Sequence, residues 1–355
     1  MQQRPTHTRA AILTELRKPL VLAEIELPET LEPGQVLVRV EFSGVCGSQL
    51  GEIDGVKGAD PWLPHLLGHE GGGVVVEAGP GVKRVKAGDP VVLHWRKAQG
   101  IDAAPPKYRW EGQTVNAGFV TTFNQWAVVS ENRLTPIPEA FPLDLAAFFG
   151  CPVTTGLGVI RNNARLTLGE SILVLGAGGV GLNIVQGAAM TGAHPIVAVD
   201  RFDARLDLAE RLGATHRVNT TSEDLIEAAR AVCPEGYDVV IDNTGNTALI
   251  RQAYDLTHSQ GRTILVGVPK SGDDATLHTL PLHFGKVITG SFGGEAVPDR
   301  DIPQYLKLHR AGKLELEALA TDRYPLDRIN DAVADLRSGK VAGRCVIHLH
   351  GAPDG

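Results

Sequence analysis

Over roughly the first 150 residues, apolar positions alternate with the period of two that a half-buried strand needs, or come in short runs closed by Gly and Pro. Val36-Leu37-Val38-Arg39-Val40 alternates in this way, while Gly73-Val74-Val75-Val76-Glu77 and Pro90-Val91-Val92-Leu93 are brief apolar runs. Turn residues punctuate them at Glu32-Pro33-Gly34, Gly79-Pro80-Gly81 and Gly88-Asp89-Pro90. The pattern predicts a domain of short strands.

After Cys151 the period changes. Ser171-Ile172-Leu173-Val174-Leu175 reads as a buried parallel strand, and a small-residue helix runs through Gln186-Gly187-Ala188-Ala189-Met190. Pro195-Ile196-Val197-Ala198-Val199 is a second strand, ending at Asp200. Leu206, Ala209 and Leu212 mark the apolar face of the next helix. Further strands are expected at His216–Asn219, Asp238–Asp242, Arg262–Val266 and Val287–Ser291. Such alternation predicts an α/β fold with a doubly wound parallel sheet. The tail from Phe292 is helical and closes on a strand at Arg344–Leu349, which can rejoin the first domain. The expected layout is a β-rich domain from residues 1–152 and 293–355, with a dinucleotide domain, 153–292, inserted between its parts.

Composition narrows the class without choosing a function. A chain of 355 residues with 43% hydrophobic and 21% charged residues is long enough for two globular domains. A net charge of −7 disfavours nucleic acid and anionic membranes as partners. The start, Met1-Gln2-Gln3-Arg4-Pro5-Thr6-His7, has no apolar core of a secretory signal, and no run approaches the about 20 apolar residues that span a bilayer. Four scattered cysteines form no disulfide framework, so a reducing cytoplasm is the expected setting.

Three of the chemical groups converge on one reading. Cys46 lies in Gly44-Val45-Cys46-Gly47-Ser48, His69 in Gly68-His69-Glu70-Gly71-Gly72-Gly73, and Cys151 in Gly150-Cys151-Pro152. Two thiolates and an imidazole make a catalytic zinc shell with one open position. The glycines around His69 favour close backbone approach, and Glu70 can stand behind the metal or enter as a transient ligand. His65 is read as a non-ligand, because Pro64 and Gly68 break the helix that a pair four apart would need. Cys233 and Cys345 are read as core.

Gly176-Ala177-Gly178-Gly179-Val180-Gly181 follows a predicted strand and opens a helix, the context in which a glycine-rich loop binds a dinucleotide pyrophosphate. Asp200, 19 residues after Gly181, can accept from both ribose hydroxyls and would repel a 2′-phosphate. NAD is therefore expected over NADP, with Arg201 the neighbouring group able to receive a 2′-phosphate.

Gly68-His69-Glu70 with Gly73, Gly79 and Val82, the Cys46 segment, Cys151 with Thr154-Thr155-Gly156, the dinucleotide loop and Val266-Gly267-Val268-Pro269 together resemble the zinc-containing alcohol dehydrogenases of the medium-chain dehydrogenase/reductase superfamily. The likeness covers nearly the whole chain. It implies a GroES-like catalytic domain and a Rossmann NAD-binding domain with the active site in the cleft between them. It also implies zinc on Cys46, His69 and Cys151, a nicotinamide lined by Thr155, Val180 and Val268, and Arg344 at the pyrophosphate. Trp95 is placed in the substrate channel, with Trp62 and Lys107-Tyr108-Arg109-Trp110 at its rim. A homodimer or homotetramer is expected, paired through residues 285–300.

The departures are as specific. Many relatives carry four cysteines for a structural zinc; the stretch Leu93–Gly118 has none, so one catalytic zinc per chain is expected. Relatives often have Asp after the Ser/Thr and a His two positions on, where this chain has Ser48, Gln49, Leu50 and Gly51. Gln49 brings no charge to the metal surroundings, and Gly51 removes the imidazole end of a proton relay, leaving the Ser48 hydroxyl. The expected activity is interconversion of an alcohol and an aldehyde or ketone with NAD(H), on a bulky, cyclic or sugar-like secondary alcohol. Two other readings are a non-catalytic NAD-binding or structural protein and a zinc-free NADPH-dependent reductase. The zinc shell and Ser48 weigh against both.

Overall fold

The computed structural model describes residues 4–351. Met1–Gln3, part of the stretch read above for a signal segment, and the last four residues of the expected β-rich domain lie outside them. The described chain divides into two compact units. One gathers residues up to Cys151, Val297–His309 and the chain from Leu319; the other comprises Pro152–Ala296 and Arg310–Ala318. The expected boundaries differ most at this last segment. Its return to the second unit has a local cause: the Gln186 side chain brackets Glu315, accepting from its N–H at 2.8 Å and donating to its carbonyl at 3.2 Å, while Leu314 and Leu316 are buried.

In the first unit, strands His7–Leu13, Val21–Glu26, Lys107–Trp110, Gln113–Asn116 and His65–Leu66 close a small barrel. A seven-stranded sheet runs Leu134–Pro136, Pro90–His94, Glu70–Ala78, Gln35–Gly44, Arg344–His348, Ala320–Pro325, with Trp126–Ser130 also paired to Gln35–Gly44. Strand Gln35–Gly44 shows why alternation alone was informative. Val36, Val38 and Val40 enter one apolar cluster, and Leu37 enters a second with Ile12, Ile25, Tyr108 and Val128. The C-terminal strand joins by antiparallel pairing of Val346 with Gly44 and Ile347 with Ser43.

The second unit is a six-stranded parallel sheet. Its order is His216–Asn219, Ile196–Asp200, Ile172–Leu175, Tyr237–Asp242, Thr257–Leu265, Val287–Gly290. Numbered along the chain this is 3-2-1-4-5-6, the doubly wound order, with the switch point beside Ile172–Leu175. Leu173, Leu175, Val197 and Val240 are fully or nearly fully buried, as two-sided cover by helices requires. Among the described residues, no single helix is long and apolar enough to cross a membrane.

The segment Lys107–Trp110, expected at a channel rim, is a barrel strand instead. Tyr108 is fully buried there and its hydroxyl accepts the Val128 N–H at 2.9 Å. Alternation of Lys107 and Arg109 outward with Tyr108 inward is a strand signature that the charges obscured.

Candidate active site

Cys46 terminates the loop after strand Gln35–Gly44 and caps helix Gly47–Asp54 from a β conformation, φ −92° and ψ 147°. The Gln49 N–H donates to its carbonyl at 3.0 Å. His69 follows Gly68, whose φ of +89° is the left-handed region that suits glycine; a Cβ there would also lie 2.3 Å from Thr122 Oγ1. That turn delivers the chain into strand Glu70–Ala78, where Glu70 pairs with His94. Cys151 comes from the turn after residues 147–150, and the Trp95 N–H donates to the Gly150 carbonyl at 3.4 Å. Three distant segments thus meet at one end of one sheet.

The ligand atoms of Cys46, His69 and Cys151 all lie within 4.8 Å of one another. The two sulfurs are 3.8 Å apart. Zn–S bonds of about 2.3 Å at a tetrahedral angle place two sulfurs roughly 3.8 Å apart, so the donor set fits zinc in identity and spacing. Among the described residues this is the one such group. His65 is elsewhere engaged, with Asp60 at 2.8 Å and the Leu66 carbonyl at 3.0 Å. Cys46 is held well below the ordinary thiol value by the Cys151 hydrogen bond, which outweighs burial, with help from Arg344 and His69. Cys151 is pushed well above it by the same bond and by burial. His69 is raised although burial opposes its charge, because Cys46, Glu70 and Glu52 favour the cation.

Glu70 is fully buried behind the ligands. Its Oε2 accepts from Arg344 at 3.0 Å, while Oε1 has no partner and no access to solvent. Burial lifts its carboxyl to about 7 against the pull of Arg344. An orphaned carboxylate oxygen in this position suits the transient-ligand role expected of it.

The glycine loop follows strand Ile172–Leu175. Gly176 has φ +93°, and Gly178 caps helix Gly179–Thr191. A Cβ at Gly181 would lie 1.9 Å from the Gly176 carbonyl oxygen, so helix and loop touch backbone to backbone there. Nothing stands within 4 Å of a Cβ at Gly178, which leaves that side open for phosphates at the helix N-terminus. Asp200 ends its strand with both oxygens fixed, Oδ2 by Ala177 N–H at 2.8 Å and Oδ1 by Arg201 N–H at 2.8 Å and Phe202 N–H at 3.2 Å. Thr155 is buried and its hydroxyl has no partner, as a group awaiting a polar ligand would be.

Residues 32–139 match the family model described as alcohol dehydrogenase GroES-like domain, and residues 179–310 the one described as zinc-binding dehydrogenase. An S-(hydroxymethyl)glutathione dehydrogenase of Paracoccus denitrificans is 30% identical, over 96% of this chain and 100% of its own. An alcohol dehydrogenase zinc-binding domain protein from Burkholderia ambifaria is similar with a TM-score of 0.89 and 32% identity, covering 97% of this chain and 99% of that one. Benzyl alcohol dehydrogenase from Acinetobacter calcoaceticus gives a TM-score of 0.87 and 28% identity over the same shares. The chain belongs to the zinc-containing alcohol dehydrogenases of the medium-chain dehydrogenase/reductase superfamily. It is a zinc-dependent oxidoreductase of alcohols and their carbonyl products, a reaction for which NAD(H) is the typical cofactor of the family.

In this dehydrogenase Arg344, expected at the pyrophosphate, is 3% exposed and donates to Glu70 and, at 3.2 Å, to the Val45 carbonyl. Its charge persists despite burial because Glu70, Cys46 and Cys151 surround it. No local signal could have linked positions 274 residues apart. Ser48 is exposed on the first turn of helix Gly47–Asp54, and Gln49 beside it is buried. At Gly51 a Cβ would sit 3.0 Å from Val56 Cγ2. Trp95 is half-buried with the Arg96 guanidinium 5.5 Å from its ring. Trp62 is 66% exposed, its carbonyl held by Asn116 at 2.8 Å. Val180 lies in the first turn of helix Gly179–Thr191, and Val268 is exposed. Two residues near Asp200 went unread: Arg205, 3.7 Å from its carboxylate, and Phe202, over which the Arg201 and Arg205 guanidinium groups lie at 4.7 and 4.9 Å.

Proposed function

We propose that Cys46, His69 and Cys151 hold one zinc ion, the single zinc of this chain, and that the enzyme oxidises a bulky or cyclic secondary alcohol with NAD. The observation that carries the metal assignment is the sulfur pair at 3.8 Å closed by an imidazole within 4.8 Å. When bound, zinc supplies Lewis acidity to the substrate oxygen and the nicotinamide accepts the hydride. The chain's own residues do the rest. Ser48 takes the hydroxyl proton and passes it outward, since Gly51 has no group to receive it. Trp95, next in the chain to the partner of Glu70, offers an aromatic wall beside the ligands. That supports a flat or cyclic substrate, as does the similarity to a benzyl alcohol dehydrogenase. Asp200, fixed by three backbone N–H groups, favours the free ribose hydroxyls of NAD.

Exposed Leu280, Phe284 and Val287 beside the edge strand Val287–Gly290 support a homodimer formed by strand pairing. Thiolate metal ligands persist in a reducing compartment, and we assign the cytoplasm. The test is metal analysis of the purified enzyme with a panel of benzylic, alicyclic and sugar alcohols and both cofactors. One zinc per chain and a higher kcat/KM with NAD are expected. Two zinc ions per chain, or a preference for NADP, overturn the corresponding assignments. Cys46→Ser and His69→Ala should lose metal and turnover together.

A further inference from the structure

We propose that Glu131 is a positioning residue on the substrate side of the site. Its carboxylate anchors the loop of residues 95–104 and so fixes where Trp95 stands. The proposal rests on the reading of Trp95 as an aromatic wall of the substrate pocket.

The chain leaves the sheet at His94 and runs as an irregular loop through residue 104. Its first residue is held near the ligands, the Trp95 N–H donating to the carbonyl of Gly150, which precedes Cys151. With no cysteine between Leu93 and Gly118, the loop has no thiolate to tie it down through a metal. A carboxylate ties it instead. Glu131 is 2% exposed, and backbone N–H groups fill both of its oxygens. Oε2 accepts from Ile101 at 2.7 Å, and Oε1 accepts from Lys83 and Arg84 at 2.7 and 2.9 Å. Gly100 passes directly over this side chain: its φ is +118°, and a Cβ there would lie 3.0 Å from Glu131 Cγ. The neighbours of Glu131 extend the anchor. Ser130 Oγ accepts the Ala103 N–H, the Asn132 carbonyl accepts the Ala98 N–H, and Asn132 Nδ2 donates to Asp102 Oδ1, each at 2.9 Å. Lys97 closes the loop on itself through Asp102 Oδ2 at 2.9 Å. Three N–H donors converging on both oxygens of one side chain require an acceptor at each. A glutamine would turn its NH2 toward at least one of those donors, so the carboxylate is the group this packing needs. Burial works against the charge, yet the N–H groups of Ile101, Lys83 and Arg84 hold the carboxyl below its ordinary value.

The experiment uses the whole zinc-loaded chain: wild type, Glu131→Gln, Trp95→Ala, both together, and Asp102→Ala. The Lys97 side chain is 60% exposed, but the N–H of the peptide bond that follows it is held by Asn132, so tryptic cleavage between Lys97 and Ala98 reports release of the loop. Mass spectrometry of brief digests should show that cut at least about tenfold faster in Glu131→Gln, because cleavage follows the population of the open loop. Asp102→Ala, at an exposed position, should speed the same cut and carries this arm if Glu131→Gln does not fold. In steady-state assays with NAD, Glu131→Gln should raise KM for benzyl alcohol by about fivefold or more, with kcat and zinc content within about twofold of wild type. In the Trp95→Ala background the same change should move that KM by less than about twofold, because Glu131 acts through the ring. A wild-type cutting rate in both Glu131→Gln and Asp102→Ala, or an undiminished KM effect in the absence of Trp95, overturns the proposal alone. If wild type does not oxidise benzyl alcohol, or Trp95→Ala leaves its KM unchanged, the aromatic-wall reading fails, and the proposal with it whatever the cutting rates.

Discussion

His94 offers a sharp test of how this sheet treats charge. It is fully buried at the end of strand Pro90–His94. A carbonyl can only accept, so Nδ1 carries the proton toward Arg96 O at 2.8 Å and Nε2 faces the Thr135 hydroxyl at 2.9 Å. Both nitrogens of the neutral ring are satisfied. Burial, reinforced by the nearby charge of Arg133, lowers its pKa from 6.5 to about 4, although the bond to Arg96 works the other way. In the unfolded chain the ring protonates near 6.5, so over this window the unfolded state binds more protons. The contribution to stability is therefore complete above pH 6.5 and is lost as pH falls toward 4. At about 1.4 kcal/mol per pH unit the ceiling is about 3 kcal/mol, of which about 2 kcal/mol disappears between pH 7 and pH 5. His94→Asn keeps a donor for Arg96 O and removes the titration. The assay is urea unfolding of zinc-loaded wild type and variant at both pH values, with acid loss of the metal common to the two. The stability advantage of wild type over the variant should shrink by about 2 kcal/mol on acidification. An equal acid loss in both proteins, or a His94 NMR signal titrating near 6.5 in the folded enzyme, would refute the reasoning.

Other outcomes follow from the same structure. Arg344→Met strands the Glu70 carboxylate in the interior and should destabilise by about 3–5 kcal/mol in thermal or urea unfolding, with Glu70→Gln in the same chain recovering part of it; a loss under about 1 kcal/mol contradicts the buried pair. Gly181→Ala drives a methyl against the Gly176 carbonyl, 1.9 Å away, and should weaken NADH binding at least about tenfold by fluorescence titration at unchanged zinc content. Ser48→Ala should keep its zinc and lose about 100-fold or more in kcat near neutral pH; unchanged turnover removes Ser48 from the proton path. Asp200→Ala should raise the ratio of NADP to NAD kcat/KM, and no change in that ratio would deny Asp200 its part in choosing the cofactor.

The sequence by itself determined the two textures, because strand and helix periods are local properties of the chain. It also singled out Cys46, His69 and Cys151, whose ligand atoms the fold brings within 4.8 Å of one another, and the glycine loop that follows a strand and opens a helix. These groups are rare in composition, and their glycine neighbours report close backbone approach, as the contacts at Gly68 and Gly181 bear out. Other features depended on which strands become neighbours. Antiparallel pairing of Arg344–His348 with Gln35–Gly44 carries Arg344 to Glu70 and Cys46, contacts that its place in the tail did not suggest. Tyr108 looked like part of a channel rim until barrel closure buried it. The segment around Leu314 and Leu316 followed the catalytic domain in sequence but docks on Gln186 in the other unit. In each case a short-range pattern specified the residue, while its electrostatic partner lay across a tertiary contact that no local period encodes.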